Sequence, residues 1–196
     1  HMLNHLHAKT GLDNICITGG VAQNSVVNGR ILANTPFKNI YVPSAGHDAG
    51  TSIGSALYLY NQILNKQRLP ETTSAYFGKQ ASQAEIISAL DDKGVKYSIL
   101  TEDELFEKAA NKLVDGGVIG WFQGRAEFGS RALGHRSILV DPRRSDAKDL
   151  LNEKIKRRES FRPFAPSILK EAISDYFVQN DTVPFMEKVF DIKKEK

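Results

Sequence analysis

The chain has 196 residues, 41% of them hydrophobic and 25% charged, proportions that exclude wholesale disorder and a fibrous repeat. No apolar run approaches the roughly 20 residues that cross a bilayer, and the single Cys16 excludes a disulfide framework or a multi-cysteine zinc site and fits a reducing, cytoplasmic setting. The formal charge of +3 is unevenly placed, with +6 on residues 121–170 and −3 on the remainder, so a local anionic ligand such as phosphate is expected.

His1-Met2 reads as a remnant of cloning and is set aside. Asn14-Ile15-Cys16-Ile17 is a short apolar run, expected to be a strand, that stops at Thr18-Gly19-Gly20. Residues 21–33 then carry apolar side chains nearer a helical than a strand period. Ile40-Tyr41-Val42 is a second expected strand, ended by Pro43, and Gly46-His47-Asp48-Ala49-Gly50 opens a helix expected to continue through Leu64. Strand, helix, strand, helix is half of an α/β layer. Residues 67–80 lack a period and contain Pro70 and Gly78, which marks a linker between a first unit, 3–66, and a second, 81–196. Ser82 with Glu85, and Thr101 with Glu104, have capping-box spacing and start two helices. A strand is expected between them at 95–100, and another at Val118-Ile119-Gly120-Trp121-Phe122, buried if its apolar run has the usual meaning. Leu150, Leu151 and Ile155 then define an amphipathic helix.

Four places carry chemistry. At Thr18-Gly19-Gly20-Val21-Ala22-Gln23-Asn24, two glycines between strand and helix let a ligand approach the backbone, and free helix amides favour an anion. A tight turn with no ligand is the plainer alternative. Asp48 precedes a helix, where a carboxylate caps amides or coordinates a metal, and His47 beside it adds too little to define a site. The run from Gly124 to Ser137 interleaves Arg125, Arg131 and Arg136 with glycines, an arrangement suited to a phosphate or carboxylate, the alternative being arginines in surface ion pairs. From Lys156 to Pro166, alternate residues of an extended segment would put Lys156, Arg158 and Arg162 on one surface. Phe161 and Phe164 make a nucleic-acid patch the rival reading there, and a solvated charge run the third.

Together these motifs, Gly19-Gly20-Val21-Ala22-Gln23-Asn24, Asp48-Ala49-Gly50-Thr51, Gly120 to Gly129 and Arg158-Glu159-Ser160-Phe161-Arg162-Pro163-Phe164-Ala165-Pro166, resemble the nodulation-type (NodU) and tobramycin-type O-carbamoyltransferases, in family order and over most of the chain. The resemblance implies a partial actin-like ATPase-fold (ASKHA) transfer domain over 3–66 and the opening part of a YrdC-like α/β domain over 81–196, hence an internal fragment of a longer enzyme. It implies ATP and carbamoyl phosphate as substrates, carbamoyl adenylate as intermediate, and a small-molecule hydroxyl as acceptor. By the same match Gly19, Gly20 and Asn24 contact nucleotide, Asp48 holds a divalent metal, Fe or Mg, and Lys156 and Arg158 form the catalytic phosphate cradle. Arg125, Arg131, Arg136 and Arg162 are assigned to substrate phosphate from charge. Ser130 replaces the family's usual proline and His135 its usual asparagine, and neither His5 nor His7 matches the family's upstream metal-binding histidine pair, so the site would be incomplete. An RNA-binding module and an inactive structural fragment are the alternatives. Neither a membrane nor, in the leading reading, nucleic acid is an expected partner.

Overall fold

Burial alternates along the first strand because only one face of it meets the core. In β1 (Asn14–Cys16), which follows helix α1 (Met2–Thr10), Ile15 is inside and its two neighbours are exposed. The computed structural model describes residues 1–195. A 3₁₀ turn at Gly20–Gln23 and helix α2 (Ser25–Asn34) carry the chain to β2 (Asn39–Tyr41), which pairs in parallel with β1, Ile15 opposite Ile40. Parallel pairing needs such a crossover, and it leaves the 19–24 turn at the carboxyl end of β1. Buried Ile15, Ala22, Ile31, Phe37, Val42 and Ala45 form the core here, joined by Ala75, Ile173 and Phe185.

The continuous helix expected from Gly46 to Leu64 is replaced by three pieces: a 3₁₀ turn at Asp48–Gly50, helix α3 (Thr51–Tyr58) and a π-type turn at Leu59–Ile63. The Thr51 hydroxyl donates to the Asp48 carbonyl at 2.6 Å and the Ser52 hydroxyl to that of Ala49 at 2.8 Å, local bonds that compete with a regular helical ladder.

The chain forms two compact units. The first comprises His1–Phe77, Glu127–Arg131 and the chain from Ile168 onward; the second comprises Gly78–Ala126 and Ala132–Ser167. The chain leaves the first unit after Phe77, and residues 127–131 and those from 168 onward belong to it again.

In the second unit both capping boxes are realised. Ser82 starts α4 (Gln83–Asp92) and Thr101 starts α5 (Glu102–Val114); each backbone N–H donates to the carboxylate of Glu85 or Glu104 at 2.8 Å. The strand expected at 95–100 is absent. Val95 N–H turns back to the Leu90 carbonyl at 3.0 Å, and among the described residues no strand pairs with this stretch. β3 (Ile119–Phe122) pairs antiparallel with β4 (Arg136–Leu139). The burial expected of β3 is also corrected: Ile119 and Trp121 are half-buried while Gly120 and Phe122 are exposed, as in a two-stranded sheet with one covered face. The amphipathic helix is a single turn at Ala147–Asp149 continued by a π-type turn at Leu150–Lys156, which buries Leu151 but exposes Ile155. Among the described residues no helix is long and apolar enough to cross a membrane.

Candidate functional site

In the first unit, Gly19 sits at φ 91°, a conformation open to glycine, and its N–H donates to the Gly46 carbonyl at 2.6 Å. This bond ties the two glycine-rich strand ends together. A Cβ at Gly19 or Gly20 would meet no other atom within 4 Å, so the backbone of the turn faces open space. The Asn24 side chain accepts from Val27 N–H at 3.2 Å, which makes it the N-cap of α2. The sequence-derived nucleotide residues Gly19, Gly20 and Asn24 thus lie together on one turn, with Asn24 oriented by its helix.

Arg131 belongs to the same unit and turns toward the same place. Its Nη2 donates to the Gln23 carbonyl at 3.0 Å, and the Ser130 hydroxyl donates to Gln23 Oε1. Buried Asn28 donates to the carbonyls of Ala22 at 2.8 Å and Glu187 at 2.9 Å. Burial pushes the Glu187 carboxyl above its ordinary range, although its Oε2 accepts from Phe185 N–H at 2.8 Å. Gln23 lies inside the glycine motif without a role of its own in the sequence reading, and neither Asn28 nor Glu187 belongs to any of the motifs. An asparagine among the apolar positions of α2 is the available signal for Asn28; Glu187 lacks one.

In the second unit Arg125, Arg136, Arg158 and Arg162 are engaged by their own chain. Arg136 donates through Nη1 to the carbonyls of Gln123 and His135 at 2.6 and 3.0 Å, and through Nη2 to those of Gly124 and Lys79 at 3.1 and 3.4 Å. It also lies 3.6 Å from the centre of the Phe122 ring. That geometry braces the bend after β3, and a phosphate would have to compete with four carbonyls. Arg125 is exposed and sends Nε to the Gly78 carbonyl at 3.1 Å.

Arg158 donates from Nε to Asn152 Oδ1 at 2.7 Å and covers the Phe164 ring, centred 4.4 Å away. Asn152 is fully buried and donates to the carbonyls of Ser160 and Arg162 at 3.3 and 3.0 Å, so it shapes the whole 158–162 bend. Arg162 pairs with Glu159 at 2.7 Å. Lys156 is exposed, and Arg157 at φ 50° breaks the extended alternation expected from 156 onward. Phe161 is exposed. A groove of about 720 Å³ along α5 and β3, lined by Leu105, Phe106, Lys108, Lys112, Trp121 and Phe122, contains none of the sequence-derived site residues.

Asp48 is exposed at the head of its short turn, while the neighbouring His47 Nδ1 is buried without a hydrogen bond. Among the described residues no three His, Cys, Asp or Glu side chains are grouped to hold a metal ion. This donor set does not fit a divalent ion, which needs four to six ligands.

Comparison with known proteins adds a second kind of observation. The family model described as "Carbamoyltransferase N-terminus" matches residues 1–57, and "Carbamoyltransferase C-terminus" matches residues 110–196. An uncharacterized protein of Synechocystis is 44% identical over 198 residues, covering 98% of this chain and 32% of that protein. Nodulation protein NolO of Bradyrhizobium diazoefficiens is 40% identical over 207 residues, 100% of this chain and 36% of that protein. Nodulation protein U of Rhizobium fredii is 33% identical over 181 residues, 92% of this chain and 29% of that protein. The chain therefore spans about a third of the length of the curated relatives it matches.

Proposed function

Because this chain belongs to the carbamoyltransferase family, we propose that it carries nucleotide- and phosphate-holding elements of an ATP-dependent O-carbamoyltransferase. In this reading residues 3–66 are part of an actin-like transfer domain, and residues 81–196 part of a YrdC-like domain that makes carbamoyl adenylate from carbamoyl phosphate and ATP. A hydroxyl of a small molecule is the acceptor, and the setting is cytoplasmic.

The observation that carries the reading is the open backbone of Gly19 and Gly20, which meets no other atom within 4 Å of a Cβ position and leads into the ten-residue helix α2. A phosphate approaching there meets no side chain at Gly19 or Gly20 and lies near the positive end of a helix dipole, while the Gly19 N–H stays bonded to the Gly46 carbonyl. Asn24 keeps the first turn of α2 in place. Attack at the α-phosphate of ATP, and then at the carbamoyl carbonyl, each builds negative charge on oxygen, which fixed cations stabilise. Lys156, Arg158, Arg125 and Arg162 supply that charge in the second unit. Arg158 is preorganised by Asn152 and Phe164, Arg162 is held by Glu159, and Lys156 is exposed to meet an anion. The geometry of Arg136 supports a bracing role beside them. A metal at Asp48 would draw one carboxylate from this chain, and no step is assigned to it.

Calorimetric titration with ATP tests the reading. Gly20→Val projects into space that the protein leaves empty, so the variant should melt within about 2 °C of the parent while its ATP affinity falls at least tenfold. Equal affinity in parent and variant would reject the turn as the nucleotide site.

A further inference from the structure

We infer that Arg131 and Ser130 are positioning residues for the 19–24 turn, acting through Gln23 and not on phosphate; the inference rests on the nucleotide reading above. Gln23 ends the 3₁₀ turn that begins at Gly20. Its carbonyl accepts from Arg131 Nη2 at 3.0 Å and its side-chain oxygen accepts from the Ser130 hydroxyl, so both ends of one residue are gripped by one loop. The loop itself is fastened. Gly129, at φ 145°, lies so close to the Ser44 carbonyl that no Cβ fits between them. Two residues on, Gly46 accepts from Gly19 N–H at 2.6 Å, so loop and turn share an anchor in the segment after β2.

Space argues the same way. The cavity bounded by Arg131, Gln23, Val42, Ser44 and Glu187 measures about 10 Å³, room for a single water at most. A phosphate does not enter there. The guanidinium is held on the Gln23 carbonyl, at the end of the turn that Gly20 begins. Glycine-rich turns have many conformations, and holding one of them before the ligand arrives removes an ordering cost from binding. A charged donor on the Gln23 carbonyl does this without occupying the ligand's space. The Ser130 hydroxyl adds a second grip, on the Gln23 side chain.

Amide hydrogen exchange on the ligand-free chain, read beside ATP titration, tests the inference. The Gly19, Ala22 and Asn24 amides report directly, being bonded to the carbonyls of Gly46, Gly19 and Val21. Arg131→Met should speed exchange at these three amides at least tenfold, leave that of Ile17 unchanged, and weaken ATP about tenfold. Arg131→Lys should restore most of both effects, because an ammonium can still donate to the carbonyl. Ser130→Ala, which leaves every charge in place, should move exchange and affinity in the same direction by about threefold, and it serves if Arg131→Met does not fold. Weaker ATP binding with unchanged exchange would make Arg131 a direct ligand and overturn the inference, as would no change in either. Faster exchange spread evenly over β1, β2 and α2 would reduce the pair to general scaffolding and also overturn it. If the parent does not bind ATP, the nucleotide reading fails, and exchange at the three amides still decides whether Arg131 holds the turn.

Discussion

Asn28 donates to the main-chain carbonyl of Glu187 at 2.9 Å, across 159 positions of sequence, while the same amide nitrogen holds the Ala22 carbonyl at 2.8 Å. One side chain, 2% exposed, thereby joins the segment around Glu187 to the end of the glycine turn. Asn28→Ala removes the amide and leaves the buried Ala22 carbonyl and the partly buried Glu187 carbonyl without this donor, at a cost of about 2–4 kcal/mol. Urea denaturation should show the midpoint falling accordingly.

Glu187 should report burial through pH. Its carboxyl titrates above the ordinary 4.5 because desolvation outweighs the bond from Phe185 and the charge of Lys188. The native state therefore holds this proton more tightly than the unfolded chain, and ionisation costs stability above the unfolded value of 4.5. Glu187→Gln, which keeps an acceptor for Phe185 N–H, should raise the melting temperature at pH 7. Repeating the melts toward pH 4 should shrink the difference.

Asp141 has the opposite sign. Arg143 donates to it from its backbone N–H at 2.9 Å and from Nε and Nη2, at 2.6 Å from the latter, which lowers its pKa from 3.8 to about 2. Its stabilising effect is present in full above the unfolded value and disappears as pH falls through about 2. Asp141→Asn should therefore destabilise the chain at pH 7 by an amount that vanishes in acid melts near pH 2.

Two glycine substitutions should separate close approach from helix propensity. A Cβ at Gly29 of α2 would collide with the Val189 backbone, whereas one at Gly54 of α3 meets nothing within 4 Å. Gly29→Ala should cost about 1–3 kcal/mol by overpacking, and Gly54→Ala should stabilise by about 0.5–1 kcal/mol. Thermal denaturation of the two variants side by side provides the comparison.

The parts legible in the sequence were those governed by near neighbours. Both capping boxes are three-residue relations between a hydroxyl and a carboxylate, and the β1–α2–β2 crossover follows from apolar runs punctuated by Gly19-Gly20 and Pro43. A strand at 95–100 was suggested by composition, but strands need partners, and Val95 bonds back to Leu90. The arginines show the same limit. Charge and spacing mark Arg131 and Arg136 as cations available to an anion; which carbonyls they also meet, that of Gln23 for Arg131 and those of Lys79, Gln123, Gly124 and His135 for Arg136, is decided by tertiary folding. Asn152 and Glu187 act through carbonyls or burial in ways that no local motif encodes.

In the function proposed above, nucleotide phosphate meets the backbone at Gly19 and Gly20. Its most direct test is titration of the ¹⁵N-labelled chain with ATP, following amide resonances residue by residue. Gly19, Gly20, Val21 and the first amides of α2 should shift in a saturable way, and Gly20→Val should abolish those shifts while the rest of the spectrum stays native. Saturable shifts confined to Lys156, Arg158 and their neighbours, with Gly19 and Gly20 unmoved, would contradict it.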